Sequence, residues 1–144
     1  MKKQILLLAS LFVLSMIAAQ TVQAQDSLVV NIPFDFTAGN TALPAGEYSV
    51  QKWAKDTSVL LIQRADQSAS VIIPTAAAVS SERQSESRLV FHRYGDRYFL
   101  SQVWTEGNPR GRQLSKSKRE KEVAVVAQNE TQITLSAKLS PTRK

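Results

Sequence analysis

From Leu28 onward, apolar and polar residues alternate along most of the chain. Leu28, Val30, Ile32, Phe34 and Phe36 stand opposite Val29, Asn31, Pro33 and Asp35. That period of two predicts a strand with one buried face. Pro33 cannot donate to a ladder, so an edge or a bulge is expected there. Thr37 to Gly46 collects Gly39, Pro44 and Gly46 and reads as a turn cluster. Glu47–Trp53 alternates again, with Tyr48 and Val50 on one face. Val59–Ile62 is an apolar run too short for a helix, which predicts a buried strand. Ala69–Pro74 predicts another, with Thr75–Val79 either extending it or bending away. Ser80–Ser87 is wholly polar and predicts an exposed loop.

The densest pattern is Arg88–Trp104, two aromatic-rich strands around Gly95-Asp96. A two-residue turn pairs Phe91 with Leu100, His92 with Phe99 and Arg93 with Tyr98. One face then carries Leu89, Phe91, Tyr98, Leu100 and Trp104; the other carries Val90, His92, Tyr94, Phe99 and Val103, with Ser101 facing Val90. Because neither face is polar, the hairpin belongs in a sheet covered on both sides or in a strongly curved barrel. Gly107–Gly111 reads as a loop. Ser117-Lys-Arg-Glu120 has capping-box spacing, which predicts a helix from Ser117 to Ala127 with Val123, Val126 and Ala127 as its apolar stripe. Ile133, Leu135, Ala137 and Leu139 alternate as a last strand, and residues 140–144 read as a disordered tail. The fold class expected is mostly β: an antiparallel β-sandwich or small, partly open β-barrel of about seven strands, with one helix in the C-terminal region.

The N-terminus changes the picture of location. Lys2-Lys3, an apolar run from Ile5 to Ala19, and small residues at Val22 and Ala24 follow the order of a signal peptide. The run is shorter than the roughly 20 residues of a spanning helix. Residues 1–24 are therefore read as a signal peptide and residues 25–139 as one domain, exported to the periplasm or beyond after cleavage near Ala24. No spanning segment is expected in the mature chain. The chain has no cysteine, so no disulfide framework, thiol nucleophile or lipid-modified cysteine is available.

The chain has 18 Lys and Arg against 12 Asp and Glu, and removing Lys2 and Lys3 leaves 16 against 12. Much of the excess lies in Arg110, Arg112, Lys116, Lys118, Arg119 and Lys121, the candidate binding residues. The plain alternative for this tract is a solvated helix face, with Glu120 and Glu122 pairing with lysines at helical spacing. In an exported protein such a tract fits an anionic envelope polymer or lipid headgroups better than nucleic acid.

Three motifs in one order, Ile32–Gly39 with Leu43–Tyr48, Leu89–Leu100 and Ser115–Glu122, resemble a group of small exported β-rich proteins of soil and environmental bacteria. The resemblance implies export and a β-rich fold; the group has no assigned activity, so none is implied. Its members often have Pro where this chain has Ser115, and Pro would mark the helix start more sharply.

Candidate chemistry is sparse. His92, the only histidine, is a candidate general base with Asp96 or Asp35 to orient it, and Ser101 is the nearest hydroxyl nucleophile. No nucleophile-elbow motif accompanies them. One histidine, no cysteine and scattered carboxylates are a poor donor set for a metal, and no cofactor is expected. Tyr94, Tyr98 and Trp104 are candidates for an aromatic cluster at a ligand site, although aromatics at strand spacing commonly form core. The expected function is a non-enzymatic exported β module with a binding or structural role in the envelope. Two alternatives are a small barrel around an apolar ligand, walled by residues such as Phe91, Leu100 and Trp104, and a small hydrolase or isomerase using His92.

Overall fold

A computed structural model describes residues 26–54 and 57–141. The signal-peptide assignment lies outside the described residues. The elements run β1 (Asp26–Ile32), β2 (Phe36–Ala38), β3 (Thr41–Leu43), β4 (Gly46–Lys52), β5 (Val59–Arg64), β6 (Ser70–Pro74), β7 (Ala76–Val79), β8 (Ser87–Tyr94), β9 (Arg97–Trp104), β10 (Arg110–Gln113), α1 (Lys118–Val126) and β11 (Thr131–Pro141). The expected mostly-β fold with one late helix is what forms, as a curved, nearly closed sheet.

Strand order is β3-β2-β9-β8-β11-β1-β4-β5-β6. β10 pairs with both β9 and β7. The run β6–β7 turns at Thr75, so β6 completes the ladder with β5 while β7 joins β10, and the sheet curls back toward β9. Of the two readings for residues 75–79, bending away is the one that occurs. All pairings are antiparallel except β2 with β9.

More strands form than the alternation implies, for local reasons. The strand expected over Leu28–Phe36 stops at Ile32, because Pro33 has no N–H to donate. β1 is paired with β11 only as far as Val29 and with β4 as far as Ile32, so Pro33 follows a stretch that is paired on one side alone. The turn cluster after it holds a small hairpin, β2–β3, turning at Gly39-Asn40 with Gly39 at φ 61°. Asp35 Oδ1 accepts the Ala45 N–H at 2.9 Å, and Tyr48 Oη donates to the Pro44 carbonyl at 2.6 Å. These two bonds pin the Leu43–Tyr48 motif to the barrel. β10 forms inside the region expected to be loop and helix face. β11 runs on past Leu139 to Pro141, two residues into the expected tail, because Ser140 pairs with Ser27.

The interior is filled by alternate residues of the strands. Tyr48, Phe91, Ile32, Ile62 and Leu89 are fully buried. Phe91 meets Phe34 and Phe36 edge-on at 5.2 and 5.6 Å, and Phe36 meets Tyr48 at 5.2 Å. Such edge-to-face contacts stabilise beyond the area they bury.

The β8–β9 hairpin turns at Gly95-Asp96, with Gly95 at φ 64°, as the first position of a type II′ turn requires. Its expected pairings, Phe91 with Leu100, His92 with Phe99 and Arg93 with Tyr98, are all present. Beyond Phe91 the register shifts, so that Val90 pairs with Gln102 and Leu89 with Val103. Ser101 is the extra residue of this bulge. A bulge exchanges faces, so Val103 joins the interior and Trp104 moves to the outside. There Trp104 forms a second cluster with Val90 and Ala78. The Arg88 guanidinium lies 5.9 Å from the centre of its ring.

Trp104 lies flat over Gly111 of β10. A Cβ on Gly111 would stand 2.6 Å from Trp104 Cε3 and 2.9 Å from the Val103 carbonyl oxygen. Gly111→Ala is therefore expected to cost about 1–3 kcal/mol through overpacking. Thermal unfolding followed by tryptophan fluorescence checks this; an unchanged midpoint would mean that the indole yields freely.

Candidate functional site

Helix α1 closes the outer face of the hairpin, and a carboxylate fastens it. Ser117 caps the helix, its Oγ accepting the Glu120 N–H at 3.1 Å. That is one half of the expected capping box. The other half is not made, because the Glu120 side chain turns into the barrel wall, where it is 4 % exposed. Its Oε1 accepts from Tyr94 Oη at 3.1 Å and lies 2.7 Å from His92 Nδ1. A buried carboxylate is costly without such partners. The contact line of α1 is Glu120, Val123, Ala124 and Ala127, spaced as one helical face. The expected stripe is corrected at Val126, which is 83 % exposed; it sits off that face, beside an equally exposed Val125.

His92 lies between two carboxylates. Nδ1 meets Glu120, Nε2 lies 3.5 Å from Glu130, and Glu130 in turn lies 3.6 Å from Lys116 Nζ. Asp96 and Asp35, the orienting groups expected from sequence, are not its partners. Both are exposed and border a surface depression of 340 Å³ beside the hairpin turn. Ser101 does not face Val90 as expected and is hydrogen-bonded through its carbonyl to Leu114 N–H at 2.8 Å. Among the described residues no hydroxyl is hydrogen-bonded to His92, so its two nitrogens fasten elements together.

Burial holds the Tyr94 phenol far above its ordinary range, and the charge and hydrogen bond of Glu120 raise it further. Tyr48 is also raised, again chiefly by burial. The unfolded chain would ionise both near pH 10, whereas the fold retains their protons. Their contribution to stability is whole below that value and declines as pH rises above it. Urea midpoints should therefore fall above pH ~10, and Tyr94→Phe should flatten the decline. A midpoint indifferent to alkali would contradict the arrangement.

The basic tract does not form one helix face. Arg110 and Arg112 lie on β10, Lys116 precedes the helix and is engaged by Glu130, and only Lys118, Arg119 and Lys121 are on α1. All three are exposed, and with Glu120 turned inward only Glu122 stands among them. The aromatic candidates are likewise dispersed. Tyr94 is under α1, Tyr98 stacks on Phe34 at 3.8 Å, and Trp104 is at the far end of β9.

Two depressions flank the hairpin turn. The first is the 340 Å³ depression against β2–β3; the second, of 670 Å³, runs between the turn and α1. Arg97 and Arg119 border both. Neither arginine has an ion-pair partner among the described residues. Arg97, Val125 and Val126 are the site residues that sequence reasoning missed. Arg97 stands apart from the basic tract, Val126 falls on the expected buried stripe, and Val125 is given no role.

Among the described residues no group of three or more His, Cys, Asp or Glu could hold a metal ion, and no helix is long and apolar enough to cross a membrane. Against this geometry, no protein family, curated protein or solved structure matches the chain.

Proposed function

We propose that this chain is an exported, non-enzymatic β module that docks on an anionic envelope surface, with acidic lipid headgroups as the partner, through the outward side of α1. The observation that carries the reading is the helix itself. Its inward side is committed to the barrel through Glu120. Its outward side combines Lys118, Arg119 and Lys121 with Val125 and Val126, 86 % and 83 % exposed. Cations beside exposed apolar residues are what an interfacial helix presents to a bilayer. Each cation near an anionic surface contributes about 1 kcal/mol, so the association is reversible and weakened by salt.

The filled interior favours this reading over a ligand barrel, since Phe91 and Leu100, two of the expected cavity walls, are core residues and Trp104 is buried in a separate cluster with Val90 and Ala78 on the other face of the sheet. His92 is occupied by carboxylates and favours a fastening role over catalysis.

Co-sedimentation with phosphatidylglycerol and phosphatidylcholine vesicles tests it. The wild type should sediment with the anionic vesicles only, and less at high salt. Lys118→Glu with Lys121→Glu should weaken binding roughly tenfold or more, and Val125→Ser with Val126→Ser should weaken it too. Failure of the wild type to bind anionic vesicles, or binding to an anionic polysaccharide alone, would overturn the lipid assignment.

A further inference from the structure

We infer that the groove between α1 and the β8–β9 turn is a binding site for a single-chain amphiphile with a phosphate head, the head seated on Arg97 and Arg119 and the chain along Val123, Val126 and Ala127. This rests on the reading of α1 as the lipid-facing element and gives that element a specific ligand seat.

The two arginines come from independent elements, Arg97 from the start of β9 and Arg119 from the first turn of α1. The Glu120 latch to His92 and Tyr94 fixes one element against the other. Both arginines border the same groove, and neither is within ion-pair distance of a described carboxylate. Two uncompensated cations on one groove repel, and an anion bound in the groove lowers that repulsion. A carboxylate can be satisfied by one bidentate arginine, whereas a phosphate offers further oxygens to a second. The chemistry of the pair therefore favours phosphate.

Arg119 and Val126 are seven residues apart and so lie about two turns, roughly 10 Å, along one flank of the helix. Val123 lies between them on that flank, half-buried, with Ala127 at the far end. The groove thus passes from a cationic end to an apolar one. Its 670 Å³ falls among the volumes of small-molecule sites, about 300–1,000 Å³. Asp96 and Glu122 also border it. The lining thus carries two carboxylates beside its two arginines, which confines any anion to the guanidinium groups themselves.

Titration of the isotope-labelled protein with octyl phosphate, followed by amide NMR, tests the site. Saturable shifts are expected at Arg97, Arg119, Val123 and Val126. Inorganic phosphate and octyl glucoside, each with half of the ligand's chemistry, should bind at least ~10-fold more weakly. Arg97→Ala and Arg119→Ala should each weaken octyl phosphate roughly tenfold, the loss of one charge-assisted contact, with the rest of the spectrum unchanged. Lys118→Glu with Lys121→Glu should reduce vesicle binding while leaving octyl phosphate bound. Equal binding of octyl glucoside, preference for octanoate, shifts centred elsewhere, or insensitivity to both arginine substitutions would overturn the site. Those results with vesicle binding intact would sink the seat alone; loss of wild-type vesicle binding would sink the surface reading.

Discussion

Phe91→Ala is expected to remove about 3–5 kcal/mol of stability, a large fraction of what a domain of this size possesses. Phe91 is fully buried and lies where β8 passes β9 and β11. Truncation removes its own transfer free energy and both edge contacts, with Phe34 and Phe36. The hole cannot collapse easily, because the neighbouring strands are fixed by ladders on each side. Denaturant unfolding measures the loss, with Val126→Ala on the exposed flank of α1 as a control expected within about 0.5 kcal/mol of wild type. A Phe91 variant as stable as that control would mean that the interior is loosely filled, and would restore the ligand-barrel reading.

The second large effect is expected at Glu120 and should be local. Glu120→Ala leaves His92 Nδ1 and Tyr94 Oη facing an empty space and removes the only buried charged side chain among the described residues. Breaking such a buried, hydrogen-bonded group costs about 3 kcal/mol. A helix of nine residues has little stability of its own. The cost should therefore appear as release of α1, with the strands retained. Hydrogen exchange should show protection lost over Lys118–Val126 and kept in β4, β5 and β8. Uniform weakening of all elements, or unchanged protection of α1, would show that the carboxylate is not the fastening.

Much of the barrel was legible because its strands bury one face at a time. Tyr48 and Val50 follow from period two, the pairing of His92 with Phe99 from a tight turn, and the strand at Val59–Ile62 from a short apolar run, although only Leu60 and Ile62 of that run are buried. What escaped was set by single residues acting on register or over long range. One extra residue at Ser101 reverses the sidedness of Val103 and Trp104, and no pattern in the apolar residues marks it. The face-sharing of Glu120 with His92 depends on two elements 28 positions apart. At the level of sequence, Ser117 and Glu120 look like a capping pair, and the same spacing serves to aim the carboxylate inward. The basic tract looked continuous because charge is read along the chain, whereas a strand, a loop and a helix divide it in space. Arg97 and Arg119 come to line the same groove only once the helix is laid beside the turn.

The exposed apolar residues supply a competing surface, and this sharpens the decisive experiment. Trp53 and Ile72, 54 % and 49 % exposed, lie at the β4–β6 side of the barrel, and a bilayer drawn to apolar surface alone would select them. The measurement that separates the two is amide NMR of the protein with phosphatidylglycerol vesicles carrying a paramagnetic lipid. Broadening is expected to centre on Lys118, Lys121, Val125 and Val126 and to be absent with phosphatidylcholine vesicles. Broadening centred on Trp53 and Ile72, or none with anionic vesicles, would contradict that expectation.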